Sequence, residues 1–204
     1  MTGDEQLTIA ALPMALRWLN EPQGWSAPDG TSLLVSAGPR TDLFVDPQQS
    51  AEPKLDAPLL VGDPSGDFLL SAHVTVDFAE TYDAGVLVLY ASDSSWAKLC
   101  FEYSPQREPM VVSVVTRGLS DDCNSFVVDG ATVWLRIARV GSAFAFHAST
   151  DGASWSFIRH FALEAGSEPS VGFAAQSPKG EGCAVTFERI AFEAARLGDL
   201  RSGA

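Results

Sequence analysis

Apolar and polar residues alternate with a period of two along most of the chain. Over residues 67–78, Phe68, Leu70, Ala72, Val74, Val76 and Phe78 share one face. Asp67, Ser71, His73, Thr75 and Asp77 share the other, with Leu69 the exception. Successive side chains of a strand point to opposite faces, so this pattern predicts an antiparallel strand with one face in a core, whereas a helix would scatter the same residues around its circumference. Comparable runs predict strands over residues 33–35, 85–90, 96–103, 110–116, 132–140, 143–149, 155–161, 171–176 and 184–192. Turn-forming clusters stand between them, among them Asp63-Pro64-Ser65-Gly66, Asp129-Gly130, Asp151-Gly152 and Ser177-Pro178-Lys179-Gly180. Many short strands spaced this way predict an all-β protein, a two-sheet antiparallel jelly-roll sandwich.

Three stretches depart from the simple pattern. In the last strand Val185 and Phe187 share one parity and Ile190 and Phe192 the other, so a β-bulge near Glu188-Arg189 is expected to restore a single buried face. Residues 46–59 are expected to form a long loop, and residues 194–201 are the one helical suggestion, short and prone to fray. With no repeat or low-complexity linker, the expectation is one domain over residues 1–204, with its core at about 7–193 and a tail at 194–204.

Composition narrows the function classes. The 204 residues carry 26 acidic and 13 basic side chains, a formal charge of -13. A surface of that sign repels phosphate backbones, and no Lys/Arg cluster in the sequence offsets it, so neither nucleic acid nor an anionic membrane is expected as a partner. No stretch approaches the roughly 20 apolar residues that span a bilayer. The start, Met1 to Gln6, is acidic and lacks the basic and apolar segments of a secretory signal. Cys100, Cys123 and Cys183 are odd in number and lack metal-ligand spacing, which fits reduced thiols and a cytoplasmic location.

Candidate chemistry concentrates on residues 96–103. Ala97, Leu99, Phe101 and Tyr103 can fill a core, leaving Trp96, Lys98, Cys100 and Glu102 on the opposite face. An aromatic ring beside a cation and a carboxylate is a common way of holding a sugar, ring against C–H face and charges to hydroxyls. The same parity argument places Arg136 and His147 opposite core residues of their strands. If the faces coincide, Trp96, Lys98, Glu102, Arg136 and His147 line one concave surface; the alternative is ordinary cross-strand ion pairs such as Lys98–Glu102 or Arg136–Glu102. Asp42 and Asp83 sit in loops beside apolar runs, where they either cap turns or reach a ligand. Asp121, Asp122 and Asn124 read as a solvated acidic turn, since their spacing matches no calcium loop. No metal or cofactor is expected.

Several fragments, in order, carry a family resemblance. They are Trp18-Leu19-Asn20-Glu21-Pro22, Thr41-Asp42-Leu43-Phe44, Gly66-Asp67-Phe68, Tyr82 through Val88, Trp96-Ala97-Lys98, Glu102, Ser113 through Thr116, Ser120-Asp121-Asp122, Leu135-Arg136-Ile137 and Ser149 through Gly152 with Trp155. Together, over roughly residues 16–192, they resemble the family of unknown function numbered 1349, whose members include regulation-of-enolase-type proteins. The resemblance implies a concanavalin A-like lectin/glucanase jelly roll. This chain departs from the family at Asp83-Ala84-Gly85, one residue short of the usual phrase, and at Asp121-Asp122-Cys123-Asn124.

Glucanases of that superfamily place acids alternately on one strand. Here Glu102 is the only carboxylate on its strand face, so the reading leans away from an enzyme. The expected function is a non-catalytic binding module for a carbohydrate or another polyhydroxylated small molecule. The alternatives are a protein-interaction domain regulating a metabolic enzyme and an unrecognised glycoside hydrolase.

Overall fold

The computed structural model describes residues 6–164 and 168–204. Residues 1–5, on which most of the reading of the N-terminus as leaderless rests, lie outside them. In chain order the strands are β1 (Arg17–Asn20), β2 (Gly24–Ser26), β3 (Leu33–Ser36), β4 (Leu43–Phe44), β5 (Lys54–Leu55), β6 (Leu59–Gly62), β7 (Phe68–Val76) and β8 (Ala84–Ser92). There follow β9 (Ser95–Tyr103), β10 (Pro109–Arg117), β11 (Leu119–Val127), β12 (Thr132–Val140), β13 (Ala143–Ser149), β14 (Ser156–Phe161), β15 (Ser170–Gln176) and β16 (Ala184–Glu193).

Two seven-stranded antiparallel sheets pack face to face. Sheet 1 has the order β1-β6-β15-β8-β9-β10-β11 and sheet 2 the order β14-β13-β12-β7-β16-β3-β2; β4 and β5 form a separate short ribbon. Period-two patterning dictates the packing. Phe68, Leu70, Ala72, Val74 and Val76 of β7 all enter the main core, as do Ala97, Leu99 and Phe101 of β9. Aromatic pairs tie the layers together: Phe173 of sheet 1 meets Phe187 of sheet 2 with ring centroids 5.0 Å apart. Both rings are buried, and burial of side chains this large is the main stabilising term of such a core.

The bulge in β16 is present. Its pairing with β7 shifts register between Glu188 and Ala191, with Arg189 in the left-handed region at φ 48. The extra residue lets Val185, Phe187 and Ile190 all join the core.

Two expectations are corrected. Asp121, Asp122 and Asn124 do not form a turn: they lie in β11, the edge strand of sheet 1, paired along β10. Most of β11 is exposed on both faces, so it has no apolar alternation to read, and charge on such an edge discourages pairing with other chains. Residues 194–201 are not helical. Leu197 and Leu200 instead pack on Leu69, Ala138 and Ala145 of sheet 2, and Asp199 folds the tail back through its carbonyl, which accepts the Gly203 N–H at 3.0 Å. Strand pairing was also missed in the irregular N-terminal region, where β1, β2, β4, β5 and β6 are too short to show a period.

Close packing between β15 and β6 rests on one glycine. A Cβ at Gly172 would stand 2.0 Å from the Leu60 carbonyl oxygen, a contact that backbone on both sides prevents from relaxing. Gly172→Ala is expected to lower stability by about 1–3 kcal/mol, read as a lower urea midpoint. Gly24→Ala, whose new Cβ meets nothing closer than 4.0 Å, is expected to leave the midpoint nearly unchanged.

Candidate functional site

Because Ala97, Leu99 and Phe101 point into the core, Trp96, Lys98, Cys100 and Glu102 must project from the outer face of sheet 1. Strand register then assembles their neighbours. Lys98 is paired with Val114 of β10, and Val114 with Asp122 of β11. Glu102 is paired with Ala84 of β8, and Ala84 with Gln176 of β15.

The chain between β3 and β6 crosses this face. Leu43 and Ala57 descend onto Val86, Val88, Trp96, Cys100, Val112, Val114 and Ala174, making a second apolar layer outside the sheet. Trp96 is wholly enclosed by it, at 0% exposure. The expectation that Trp96 offers a ring to a ligand is therefore corrected: its indole is core, and its Nε1 has no hydrogen-bond partner among the described residues.

Next to that layer the crossing segment stands off the sheet and leaves a cavity of about 540 Å³. Lys98, Glu102, Val114, Asp122 and Gln176 form its floor on the sheet. Arg40, Asp42, Phe44 and Lys54 belong to the wall contributed by the crossing segment, and Tyr82, Pro178 and Lys179 complete the lining. The chain has three lysines, Lys54, Lys98 and Lys179, and all three line this one cavity.

Lys98 is the centre of the site. Only 3% of it is exposed, and its Nζ donates to Gln176 Oε1 at 2.9 Å and to Asp42 Oδ1 at 3.4 Å. Burial disfavours the ammonium, but Asp42, supported by Cys100 and Glu102, more than offsets this and holds the proton above the usual lysine range. Gln176 is fixed at its other end by donating Nε2 to the Tyr82 carbonyl at 3.2 Å. Asp42 also accepts the Leu43 N–H at 2.7 Å. Asp42 thus combines the two roles considered for it, turn and cavity.

Glu102 is half-buried. Burial pushes its carboxyl up to about 8, with Lys98 opposing and Asp122 and Asp42 adding to the shift. Asp122, on the open edge strand, is raised in the same direction, burial again the largest cause. No Lys98–Glu102 ion pair forms within 4 Å among the described residues.

Two of the five described non-glycine residues in the left-handed region lie at the same place. Tyr82 at φ 71 and Arg40 at φ 58 are non-glycine residues in the left-handed region, and both line the cavity. Tyr82 is held there because its N–H donates to the Tyr103 carbonyl at 2.8 Å and its own carbonyl takes Gln176. Such conformations persist only where surrounding contacts impose them, and they are concentrated at functional sites.

The other expected residues do not converge here. Asp83 is completely buried; its Oδ2 accepts the Ala79 and Glu80 N–H groups at 3.0 and 2.8 Å, and its Oδ1 accepts the Ser177 hydroxyl at 2.6 Å. It locks the turn behind Tyr82 rather than facing the cavity. Arg136 and His147 project from the outer face of sheet 2, on the far side of the sandwich. Arg136 Nη2 donates to the Gly203 carbonyl at 2.7 Å, and its guanidinium lies 4.1 Å from the Trp155 ring centroid. His147 donates Nε2–H to the Leu200 carbonyl at 2.8 Å, since a carbonyl can only accept. Burial lowers the proton affinity of both groups, Arg136 to about 10. The shared concave surface and the Arg136–Glu102 pair are both excluded by this placement.

A model of the family described as "Protein of unknown function (DUF1349)" matches residues 18–195. The chain belongs to that family. No curated protein matches this DUF1349 chain. Among solved structures it is similar to a functionally unknown protein from Saccharomyces cerevisiae, with a TM-score of 0.81 and 22% identity, covering 90% of this chain and 97% of that one. It is also similar to the GH43 BlXynB protein from Bacillus licheniformis, with a TM-score of 0.68 and 15% identity over 88% of this chain, but spans only 37% of that protein's length. A third similar structure is the alginate lyase from Klebsiella pneumoniae, with a TM-score of 0.54, 12% identity and 83% coverage of both chains. At these identities the likeness establishes the shared sandwich fold. Among the described residues of this DUF1349 member, no group of three or more His, Cys, Asp or Glu is placed to hold a metal ion, and no helix is long and apolar enough to cross a membrane.

Glu102 yields a pH prediction. Its folded affinity for a proton is raised, so between about 4.5 and about 8 the unfolded chain binds fewer protons there than the folded one. Its contribution is fully present below about 4.5 and is lost as the pH rises through about 8. Urea midpoints across this window are expected to fall with rising pH, and Glu102→Gln is expected to flatten the fall. A variant series parallel to wild type would remove Glu102 as its cause.

Proposed function

We propose that this protein binds a small polyhydroxylated ligand of the carbohydrate class in the cavity on the outer face of sheet 1. The observation that carries the reading is the Lys98 hub. A buried ammonium, matched by Asp42 and Gln176, fixes polar groups around a hollow of about 540 Å³ that holds no side chain of its own. That volume lies within the usual range for small-molecule sites, and preorganised polar groups beside aromatic walls, here Phe44 and Tyr82, are what such sites contain. A mixture of carboxyl, amide, ammonium and phenol suits hydroxyls, which both donate and accept. The strained Tyr82 and Arg40 backbones support the same location.

The test is a panel of neutral, amino and acidic mono- and disaccharides titrated against the labelled protein. Amide shift changes are expected around Lys98, Glu102, Asp122 and Gln176, and not around Arg136 or His147. Ala51→Trp, at an exposed lining position, is expected to obstruct the mouth and weaken binding by about tenfold or more without lowering stability. A panel in which no sugar perturbs the cavity would sink the reading.

A second reading is favoured by Glu102, a carboxyl pushed up to about 8 inside the cavity and therefore largely protonated at neutrality. A neutral carboxyl can act as a general acid towards a glycosidic oxygen. Turnover of aryl glycosides by wild type, abolished by Glu102→Gln with sugar binding retained, would replace the binding module with a hydrolase.

A further inference from the structure

We propose that the ligand of this cavity carries a protonated amino group as well as hydroxyls, an amino sugar being the simplest member of the class. The proposal rests on the reading of the cavity as a sugar site and adds the charge of the guest.

On the cavity floor the polar groups divide into those already engaged and those left over. Lys98 is the only floor cation, and it is held by Asp42 and Gln176. Gln176 is engaged at both ends of its amide, and Asp42 Oδ1 receives both Lys98 and the Leu43 N–H. What the floor still offers a guest is the Glu102 carboxyl and, beside it, Asp122, whose carboxylate is met only in part, by the Cys123 N–H and the charge of Arg159. Hydrogen bonding from the described residues contributes nothing to Glu102, whose surroundings act on it only through burial and through the charges of Lys98, Asp122 and Asp42.

The rim does not reverse this balance. Arg40 is paired with Glu181 at 3.1 Å and Lys54 with Asp56 at 3.6 Å. Lys179, at the mouth, is the one lining cation with no carboxylate within 4 Å among the described residues. An anionic guest would therefore find one free cation at the entrance and two carboxyl groups facing it on the floor. A cationic guest finds the reverse. Its ammonium supplies the hydrogen bonds that Glu102 lacks and offsets the desolvation of both acids, while its hydroxyls reach the Tyr82 phenol and the third Lys98 proton. The chain's formal charge of -13 also draws cations towards the surface at long range.

A proton must leave when such a guest arrives. Near neutrality the half-buried Glu102 carboxyl holds its proton, and an ammonium beside it favours the carboxylate. The O–H bond of Glu102 breaks, its proton passes to buffer, and the ammonium keeps its own.

The experiment is calorimetric titration of the full chain just below neutral pH with glucosamine, glucose and glucuronic acid, each in two buffers of different ionisation enthalpy. Glucosamine is expected to bind about tenfold more tightly than glucose, the scale of one charge-assisted hydrogen bond. It alone is expected to release protons. Glu102→Gln is expected to abolish both the preference and the release. Asp122→Asn, on the exposed edge strand, is expected to reduce the preference even if the Glu102 variant fails to fold. Equal affinity for glucose and glucosamine, or tighter binding of glucuronic acid, overturns the amine while leaving a sugar site. Failure of all three to bind removes the sugar site with it.

Discussion

A lysine ammonium taken out of water must be given its hydrogen bonds and countercharge back, and on sheet 1 that requirement organises the outer face. Lys98 stands on a central strand with Val88 and Val114 as its paired neighbours, so its partners come from the segment above and from a strand end. Asp42 arrives on the segment that crosses the face, and Gln176 from the last residue of β15. Each partner is then fixed by another bond, Asp42 by the Leu43 N–H and Gln176 by the Tyr82 carbonyl. Removing one member of such a set leaves the others buried and unmatched, which costs more than the set gains over apolar residues of equal size.

The same hub explains why a cavity exists beside a well-packed layer. Leu43 and Ala57 bring the crossing segment into contact with Trp96 and Cys100, and there the face closes completely. Where Lys98 and Glu102 stand, the segment turns polar, with Asp42, Asp46, Glu52 and Lys54. Polar side chains are poor partners for a dry contact, so the walls stay apart. Asp46 is occupied with its own turn, accepting the Gln48 and Ser50 N–H groups at 2.9 Å, which shapes the wall without filling the hollow.

Much of this was legible in the sequence, and for a definite reason. Alternation reports which face of a strand is buried, so β7, β9, β12, β13 and β16 could be placed closely, the bulge at Arg189 included. It also put Lys98 and Glu102 on one outer face. Alternation does not report what lies over that face. Trp96 looked available because its neighbours are polar, yet the distant segment that carries Leu43 and Ala57 buries it. Nor does it say which sheet a strand joins, and so Arg136 and His147, correct in parity, fall on the opposite side of the molecule. Gln176, Tyr82 and Lys179 were missed because their role depends on turn geometry. One signal was present in the composition: three lysines in 204 residues are few enough that their convergence is informative.

Comparing the two outer faces shows how one constraint can have two outcomes. On sheet 2, Arg136 and His147 are also buried polar groups, and they are also met by chain from outside the sheet. There the chain is the tail, and it meets them with backbone carbonyls of Gly203 and Leu200 while Leu197 and Leu200 pack against Leu69, Ala138 and Ala145. A carbonyl brings no charge, and the apolar contacts bring the tail down flush, so that face is sealed. On sheet 1 the partner is a carboxylate on a polar segment, and beside it stands Glu102, for which the described residues supply no donor. A carboxyl left in that state destabilises the folded chain as it ionises, and the penalty disappears only if something from outside brings the missing hydrogen bonds. The difference between the faces therefore lies in how they are covered: on sheet 2 the tail lies flush even though Arg136 Nε and His147 Nδ1 keep no hydrogen-bond partner among the described residues, whereas on sheet 1 the crossing segment leaves a cavity beside Glu102.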